Sequence, residues 1–466
     1  MAQSSIVGRE RELRRLTRAI EAAAQGHGST WYLTGEPGIG KSRLAEEVAD
    51  LARERGMRAY WGRCWEAGGA PAYWPWVQVL RAVLRTAEPG QLDRYLGFLS
   101  QILPELPSTD VIRESADLGP EQARFFLMDA VSNALADAAQ RLPIVIVLED
   151  LHVADVSTIH MLEFLSATIR HLPLLIVGTF REVELPSAPA GTQLTRAAQE
   201  GQRLSLGRLS ERDVETFVRA SGETVDPSFV SALHRTTDGH PLFLVEVALL
   251  WRAQGRAEGA TLPSIPLSVR TAIQERLSAV SSACLETLRR GAIVGREFDI
   301  GLLEACHGET DYVSAAQEAT QAAILVEVAP QRYRFVHFLI REVVYEGIAE
   351  EERVQAHARV AEILRTDARH VEPRWSEVAH HLVASGKCEA AAGAFRNAGA
   401  QALRQLAFEE AVKAYSDALR TTDKAGIVDP SERAALLLEI GHAETRAGLV
   451  MKGKATCAAA AGLARQ

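Results

Sequence analysis

The sequence predicts an α/β core, in which helices flank a parallel sheet, followed by a series of helical units. Two observations predict the core. The glycine-rich stretch 35–42 follows the apolar run 31–33, and two more apolar runs, 142–148 and 172–178, enclose a helical stretch. Continuous apolar runs of this length are typical of strands buried on both faces of a parallel sheet. Beyond the Pro/Ala/Gly-rich break at 186–191, helical patterns dominate to the end of the chain.

Length and composition indicate a globular protein with several compact units. The 466 residues exceed what one hydrophobic core usually supports, so we expect roughly three or four units. Hydrophobic residues make up 47% of the chain and charged residues 24%, which is ordinary for a soluble protein. The net charge of -9 argues against a surface that binds nucleic acid as a whole, although it allows a local basic patch.

The cysteines and the hydropathy pattern favour a cytoplasmic protein. Five cysteines are scattered without a CxxC pair and without a histidine at ligand spacing, so we expect neither a zinc site nor a disulfide framework. The N-terminus has no apolar signal core, and no apolar stretch approaches the length that spans a bilayer. We therefore expect reduced thiols and no membrane association.

The stretch 35–42 spells GxxxxGK[ST], the phosphate-binding loop of nucleoside triphosphatases (P-loop NTPases). Its glycines allow successive N–H groups to point at the phosphates, and the following helix presents its positive end to them. Lys41 is expected to reach the β- and γ-phosphates, and the Ser42 hydroxyl to bind Mg²⁺. The expected nucleotide-binding residues here are Gly35, Glu36, Pro37, Gly38, Ile39, Gly40, Lys41, Ser42 and Arg43.

Hydrolysis needs a carboxylate for Mg²⁺ and a group that orients the attacking water. Glu149 and Asp150 end the second apolar run, and adjacent side chains at a strand end diverge. We assign Glu149 to the Mg²⁺ shell and Asp150 to the water, with the reverse assignment open; a surface turn is the alternative. Arg181, after the third run, is a candidate sensor of the γ-phosphate, with a solvated loop residue as the alternative.

Four of the seven tryptophans lie in the Pro/Gly-rich segment 61–79: Trp61, Trp65, Trp74 and Trp76. Aromatic side chains in such a segment could form a stacking platform for a ligand. We favour the other interpretation, that they pin a long connection to the core.

The second half of the chain predicts a small winged helix and then repeats. Between 266 and 353 the pattern indicates several helices and one extended pair, 323–328 and 333–336. This segment is not notably basic, so we expect an internal clamp rather than DNA binding. From Trp375 onward Ala-rich helices follow one another, and the spacing of Ala411, Tyr415 and Ala418 is typical of a tetratricopeptide (TPR) second helix.

A set of short motifs appears in order along the chain: Ile6–Leu13, the phosphate loop, Leu148–Asp155, Gly178–Arg181, Gly239–Phe243, Leu267–Arg270 and Phe335–Glu342. Together they resemble the STAND class of AAA+-related signal-transduction ATPases. Within that class, the chain is similar to the N-terminal part of the large ATP-binding LuxR-type (LAL) regulators of bacteria. The resemblance covers nearly the whole chain.

This resemblance implies ATP and ADP as the nucleotides. It places Val7, Gly8 and Arg9 against the adenine and ribose, Pro241 on the base, and His337 on the β-phosphate of ADP. A structural histidine is the alternative for His337. The implied domains are an ATPase core at 1–185, a helical lid at 186–262, a winged helix at 263–365 and incomplete TPR-like repeats at 366–466.

The implied function is a slow, Mg²⁺-dependent ATPase that acts as a switch, closed with ADP and open with ATP. The alternatives are a work-performing AAA+ remodelling ATPase and a nucleotide-binding scaffold without turnover. We expect a small-molecule or protein inducer on the helical C-terminal part, ATP-dependent self-association and no direct DNA binding. The family's longer repeat array and C-terminal helix-turn-helix are not in this sequence, so we expect a truncated form or a natural short member.

Overall fold

The computed structural model describes residues 6–65, 69–88, 90, 92–106, 119–220, 227–253, 268–308, 310–366, 373–426 and 429–465, with residues 251–253 as backbone only. The expected boundary between lid and winged helix, at 262/263, lies outside these residues, as do Gly68 and Leu267.

The core is a five-stranded parallel sheet with the strand order β2-β3-β4-β1-β5. Its inner strands are apolar on both faces: Val145 and Val147 pack toward α1 and α2, whereas Ile144 and Ile146 pack toward the helices of the opposite face. The elements are α1 Glu10–Ala24, β1 Ser29–Thr34, α2 Lys41–Glu54, β2 Arg58–Arg63, α3 Trp74–Thr86, α4 Leu96–Leu99, α5 Pro120–Arg141, β3 Ile144–Glu149, α6 Val156–Thr168, β4 Leu174–Phe180, α7 Gly191–Glu200 and β5 Gln202–Ser205.

Strand β5 corrects the expected end of the core. It pairs with β1, with Leu33 opposite Leu204, so the core continues past residue 185. Only Leu204 of its four residues is buried, and an edge strand of this kind carries no apolar run. The stretch after residue 185 therefore completes the sheet before the lid begins.

The lid consists of α8 Glu211–Ala220, α9 Pro227–Thr237 and α10 Pro241–Ala253. Its own small hydrophobic core includes Val214, Leu233 and Val247. Ala272 from the next unit joins this core, which attaches the lid to the winged helix.

The winged helix contains the expected extended pair and one strand that was not predicted. Strands β7 and β8 pair antiparallel, and β6 pairs with the other edge of β8. Strand β6 has three residues, which is too short for a recognisable alternation. The elements are α11 Val269–Ser278, α12 Ser282–Val294, β6 Glu297–Asp299, α13 Ile300–His307, α14 Tyr312–Gln321, β7 Leu325–Ala329, β8 Arg332–Phe335 and α15 Phe338–Glu346.

The remaining helices pack in sequence as antiparallel neighbours. Two glycines permit close contacts between them: a Cβ on Gly399 would lie 2.7 Å from the Tyr415 ring, and one on Gly441 would lie 2.4 Å from Cys457 Sγ. The helices are α16 Glu350–Thr366, α17 Trp375–Ala384, α18 Cys388–Arg404, α19 Phe408–Lys424, α20 Pro430–Arg446 and α21 Val450–Leu463. Among the described helices, none is long and apolar enough to cross a membrane.

The tryptophan-rich segment packs against the protein, as favoured above. Trp76 is fully buried, and its Nε1 donates to the carbonyl of Thr158 at 3.0 Å. A Cβ on Gly295 would lie 2.9 Å from the Trp65 ring, so Trp65 lies against the winged helix. Trp65 thus contacts the winged helix, whereas Trp76 packs within the core.

Candidate nucleotide-binding site

The phosphate loop lies between β1 and α2, as its motif predicts. Gly35, Gly38 and Gly40 have φ angles of 139°, 77° and 101°, values that favour glycine. Lys41 is the first residue of α2, and its Nζ donates to the carbonyls of Gly35 at 2.9 Å and Glu36 at 2.8 Å. The loop therefore curls under the lysine at a helix N-terminus, an arrangement suited to phosphate.

The N-terminal motif is anchored beside this loop by Arg9. Its side chain is buried and donates to the carbonyls of Ile39 at 3.1 Å and Gly207 at 2.7 Å. Gly8 has a φ of 70°, and a Cβ there would lie 2.7 Å from Asp213 Cγ, in the lid. The structure thus brings the Val7 to Arg9 segment to the loop, while its contact with adenine stays a prediction.

Glu149 is buried at the carboxyl end of β3. Its Oε2 accepts from Arg63 Nε at 2.6 Å and lies 3.4 Å from Arg334 NH1. Burial acts to raise the pKa of this carboxyl, but the charges of the nearby arginines, led by Arg63, outweigh burial and lower the pKa to about 2. A hydrogen bond from the Ser42 side chain acts in the same direction.

The two expected Mg²⁺ ligands therefore lie together. Glu149 Oε1 is buried and has no hydrogen-bond partner among the described residues, and the Ser42 hydroxyl lies beside the same carboxylate. Oxygen donors of this kind are what Mg²⁺ prefers, so the residues fit the ion.

Asp150 lies next to Glu149 but has an unusual backbone. Its φ is 59°, in the left-handed region that is uncommon for residues other than glycine. Its backbone N–H donates to Thr179 Oγ1 at 3.0 Å, and its Oδ2 accepts from Arg296 NH1 at 2.6 Å. Such strain is often found at functional sites. The structure thus directs the two acids to different cationic partners.

Arg181 lies at the edge of the site and is almost fully buried. Its NH1 donates to Glu184 Oε1 at 2.7 Å, and its guanidinium lies 4.1 Å from the centre of the Phe338 ring. It lines a cavity of about 340 Å³ together with Pro37, His152 and Arg296. Burial lowers the pKa of His152 to about 4, so its imidazole is neutral near pH 7. The phosphate-sensor role of Arg181 stays a prediction.

The lid reaches the loop through His240 and Pro241. His240 Nε2 lies 2.9 Å from the carbonyl oxygen of Pro37, and a Cβ on Gly38 would lie 2.8 Å from His240 Cε1. Pro241 follows as the first residue of α10. Arg43, by contrast, pairs with Glu47 along α2 at 2.9 Å.

His337 caps helix α15, since its Nδ1 accepts from the backbone N–H of Leu339 at 3.2 Å. Burial, then the charges of Arg296 and Arg181, lower the pKa of His337 to about 3. The histidine is therefore neutral and also lies within electrostatic reach of Lys41. Its structural role as a cap is thus present, and a contact with phosphate stays a prediction.

The sequence did not identify four residues that contact the acids or the segment that follows them: Arg63, Arg296, Arg334 and Glu410. Glu410 Oε1 accepts from the backbone N–H groups of Val156 at 2.8 Å and Ser157 at 3.3 Å. A neighbouring cavity of about 790 Å³ is lined by Trp65, Trp74, Asp155, Glu410 and residues of α17–α19. No local pattern marks these four residues, because their partners lie 86 to 254 positions away in the sequence.

Comparisons with known proteins identify the domain and the fold. Residues 5–177 match the AAA ATPase domain family. The chain is similar to a Signal Transduction ATPase with Numerous Domains (STAND) protein with a tetratricopeptide repeat sensor from Pyrococcus horikoshii, with 14% identity and a TM-score of 0.53. That similarity covers 99% of this chain and 64% of the other. The expected AAA ATPase domain and STAND-type fold are therefore confirmed.

Two other proteins are similar to the chain. The ORC2 protein of Aeropyrum pernix, solved as ADPNP and ADP complexes, is 16% identical with a TM-score of 0.37, covering 76% of this chain and 95% of that one. An uncharacterized protein of Rhizobium meliloti is 23% identical and covers 93% of this chain. The chain spans 44% of the length of that relative.

Proposed function

We propose that this chain, which contains an AAA ATPase domain in a STAND-type fold, is a slow Mg²⁺-dependent ATPase that works as a molecular switch. ADP holds the lid and the winged helix closed on the core, and ATP favours an open form that self-associates. One observation carries this proposal. Both later units contact this site: His240 of the lid contacts the phosphate loop at Pro37, and Arg296 of the winged helix contacts Asp150.

The lid and the winged helix are also joined to each other. Glu246 of α10 and Arg276 of α11 form an ion pair in which both side chains are at most 6% exposed. A buried pair of this kind is costly to separate, because either partner would be left as an uncompensated charge. This pair supports a closed state in which the two units move together.

The chemistry follows from the residues at the loop. Lys41 binds the β- and γ-phosphates, and Ser42 and Glu149 supply oxygen ligands to Mg²⁺, which neutralises charge on the phosphates when bound. Asp150 orients the attacking water, and Arg181 stabilises charge at the γ-phosphate. Burial of these groups in a site of low dielectric strengthens each interaction.

The signal is proposed to enter through the helical repeats. The cavity of about 790 Å³ between the core and α17–α19 has a volume suited to a small-molecule inducer, although a protein inducer on the same helices fits the proposal equally. We place the protein in the bacterial cytoplasm, in signalling that regulates transcription. We propose that output passes to a partner.

Lys41→Ala tests nucleotide binding and the switch together. We expect the variant to lose ATP binding in calorimetry and ATP-dependent self-association in light scattering, because the charge on the β- and γ-phosphates loses its partner. Lys454→Ala, an exposed lysine on α21, is the charge-matched control. Unchanged ATP affinity in Lys41→Ala would contradict the proposal.

Two further measurements separate the switch from its alternatives. We expect ADP to copurify with the wild-type protein and steady-state turnover to be slow. Fast turnover stimulated by a partner would instead support a remodelling ATPase. Tight nucleotide retention with no turnover would support a scaffold.

A further inference from the structure

Two arginines of the winged helix lie at the end of β3. Arg296 directly precedes β6, and Arg334 lies in β8, opposite Glu297 in the strand register. The backbone N–H of Phe335 donates to the carbonyl of Arg296 at 2.9 Å. The two arginines are therefore fixed to one small sheet and approach the core as a unit.

Each arginine pairs with a different acid. Arg296 NH1 lies 2.6 Å from Asp150 Oδ2, and Arg334 NH1 lies 3.4 Å from Glu149 Oε2. All four side chains are less than one-fifth exposed. Both expected catalytic acids are thus held by cations that belong to another domain.

The core supplies a third cation, Arg63, which pairs with Glu149 from the neighbouring strand β2. Three guanidinium groups therefore face two carboxylates, so the negative charge of the acids is already balanced. Mg²⁺ would add two positive charges at the same acids. The positive charges of the ion and of the guanidinium groups would repel one another strongly in this buried site.

We propose that Arg296 and Arg334 pair with Asp150 and Glu149 in place of the positive charge that Mg²⁺ would bring, so that Mg²⁺ binding and docking of the winged helix are competing events. This inference rests on the proposed nucleotide switch. The two ion pairs Arg296–Asp150 and Arg334–Glu149, here called the latch, hold its closed state. While the latch is closed, the arginines exclude the ion and keep both acids from their catalytic roles. When Mg²⁺ arrives with ATP, the acids change partners and the winged helix loses two ion pairs.

Competition is reciprocal, because it is a coupling between two equilibria. If the arginines weaken Mg²⁺ binding, then Mg²⁺ weakens the docking of the winged helix by the same factor. Removing the arginines and adding the ion therefore test the same proposal from opposite sides.

The first experiment uses the full chain with Arg296 and Arg334 both replaced by alanine. Mn²⁺ serves as the probe, and electron paramagnetic resonance measures its binding to protein saturated with an ATP analogue that carries a β,γ-imido bridge. We expect the double variant to bind Mn²⁺ at least tenfold more tightly than the wild type. Equal affinity in the two proteins overturns the proposal.

Arg332→Ala is the matched control. Arg332 lies on the same strand, 46% exposed, and pairs with Glu297 at 2.7 Å rather than with the acids. We expect its Mn²⁺ affinity to match that of the wild type within twofold. A gain equal to that of the double variant would indicate a general effect of removing positive charge and would overturn the proposal.

The second experiment needs no variant and is unaffected by any folding defect. Hydrogen exchange is measured in β6 and β8 of the wild-type protein with the ATP analogue, with and without Mg²⁺. We expect Mg²⁺ to speed exchange in these strands at least tenfold, and unchanged exchange overturns the latch. If the analogue does not bind at all, the proposed function fails; if it binds and Mg²⁺ changes neither readout, only the latch fails.

Discussion

Glu410 ties the helical repeats to the start of α6, and we predict that Glu410→Gln strengthens this attachment at high pH. The carboxylate accepts from the backbone N–H groups of Val156 and Ser157, and its Oε2 accepts from Ser157 Oγ at 2.6 Å. The first N–H groups of a helix have no intrahelical acceptor. A residue of α19 therefore supplies a cap to a helix of the ATPase core.

The direction of the pH effect follows from the burial of this carboxyl. Burial, then the negative charge of Asp155, raise the pKa of Glu410 from 4.5 to about 7. Glu409 also raises it, and Glu409 itself faces Arg124 and His160. Between pH 4.5 and 7 the attached form holds a proton that the detached form has lost, so the attachment weakens as pH rises through this window.

The magnitude follows from the size of the pKa change. One pKa unit is worth about 1.4 kcal/mol, so the rise corresponds to a weakening of about 3 kcal/mol once pH exceeds 7. Glutamine keeps an acceptor for the backbone N–H groups and gains a donor for Ser157 Oγ. We therefore expect Glu410→Gln to match the wild type at pH 4 and to attach up to about 3 kcal/mol more tightly at pH 8.

Hydrogen exchange at several pH values measures this attachment, since it reports the free energy of local opening for peptides in α6 and α19. Glu409→Gln is the matched control, because Glu409 is 23% exposed and pairs with Arg124 at 3.0 Å. We expect the control to weaken attachment and to keep most of the slope, because burial and Asp155 raise the pKa of Glu410 more than Glu409 does. The reasoning is wrong if the wild type shows no slope between pH 4.5 and 7, or if Glu410→Gln keeps the wild-type slope.

Two further predictions concern packing and the pair between lid and winged helix. Gly399→Ala places a Cβ 2.7 Å from the Tyr415 ring and is expected to cost about 1–3 kcal/mol, whereas Gly393→Ala meets nothing within 4 Å and should not destabilise α18. Equal melting temperatures for the two variants would contradict this. Arg276→Met leaves Glu246 buried without its partner and is expected to cost about 3–5 kcal/mol in urea unfolding, and adding Glu246→Met should recover most of that loss. A double variant as unstable as the single one would argue against the buried-charge explanation.

The central strands were predictable because local patterns specify them. The apolar runs 142–148 and 172–178 correspond to β3 and β4, whose residues are all buried. A strand buried on both faces reads as a continuous apolar run, and this signal needs no partner. The edge strand β5 has one buried residue in four, so its pairing with β1 could be found only in the folded structure.

The sequence predicts only those candidate site residues that a single motif or the end of a strand marks. The loop specifies Lys41 and Ser42 by spacing, and Glu149 follows from its place at the end of a buried run. Arg296 and Arg334 carry no such signal, because an arginine in or next to a short strand is usually a solvated residue. Their role depends on docking between units, which sequence spacing does not encode.

The segment from Glu149 to Ser157 is where the later units converge on the core. The winged helix holds its first two residues through arginines, and the repeats hold its last two through Glu410. Only the short turn 151–155 separates these contacts, and the bulk of that turn is buried. A ligand that pulls Glu410 away therefore acts directly on the start of α6, a few residues from the acids that the arginines release. Coupling between the repeats and the nucleotide needs no longer path, because both act on one connected stretch of backbone.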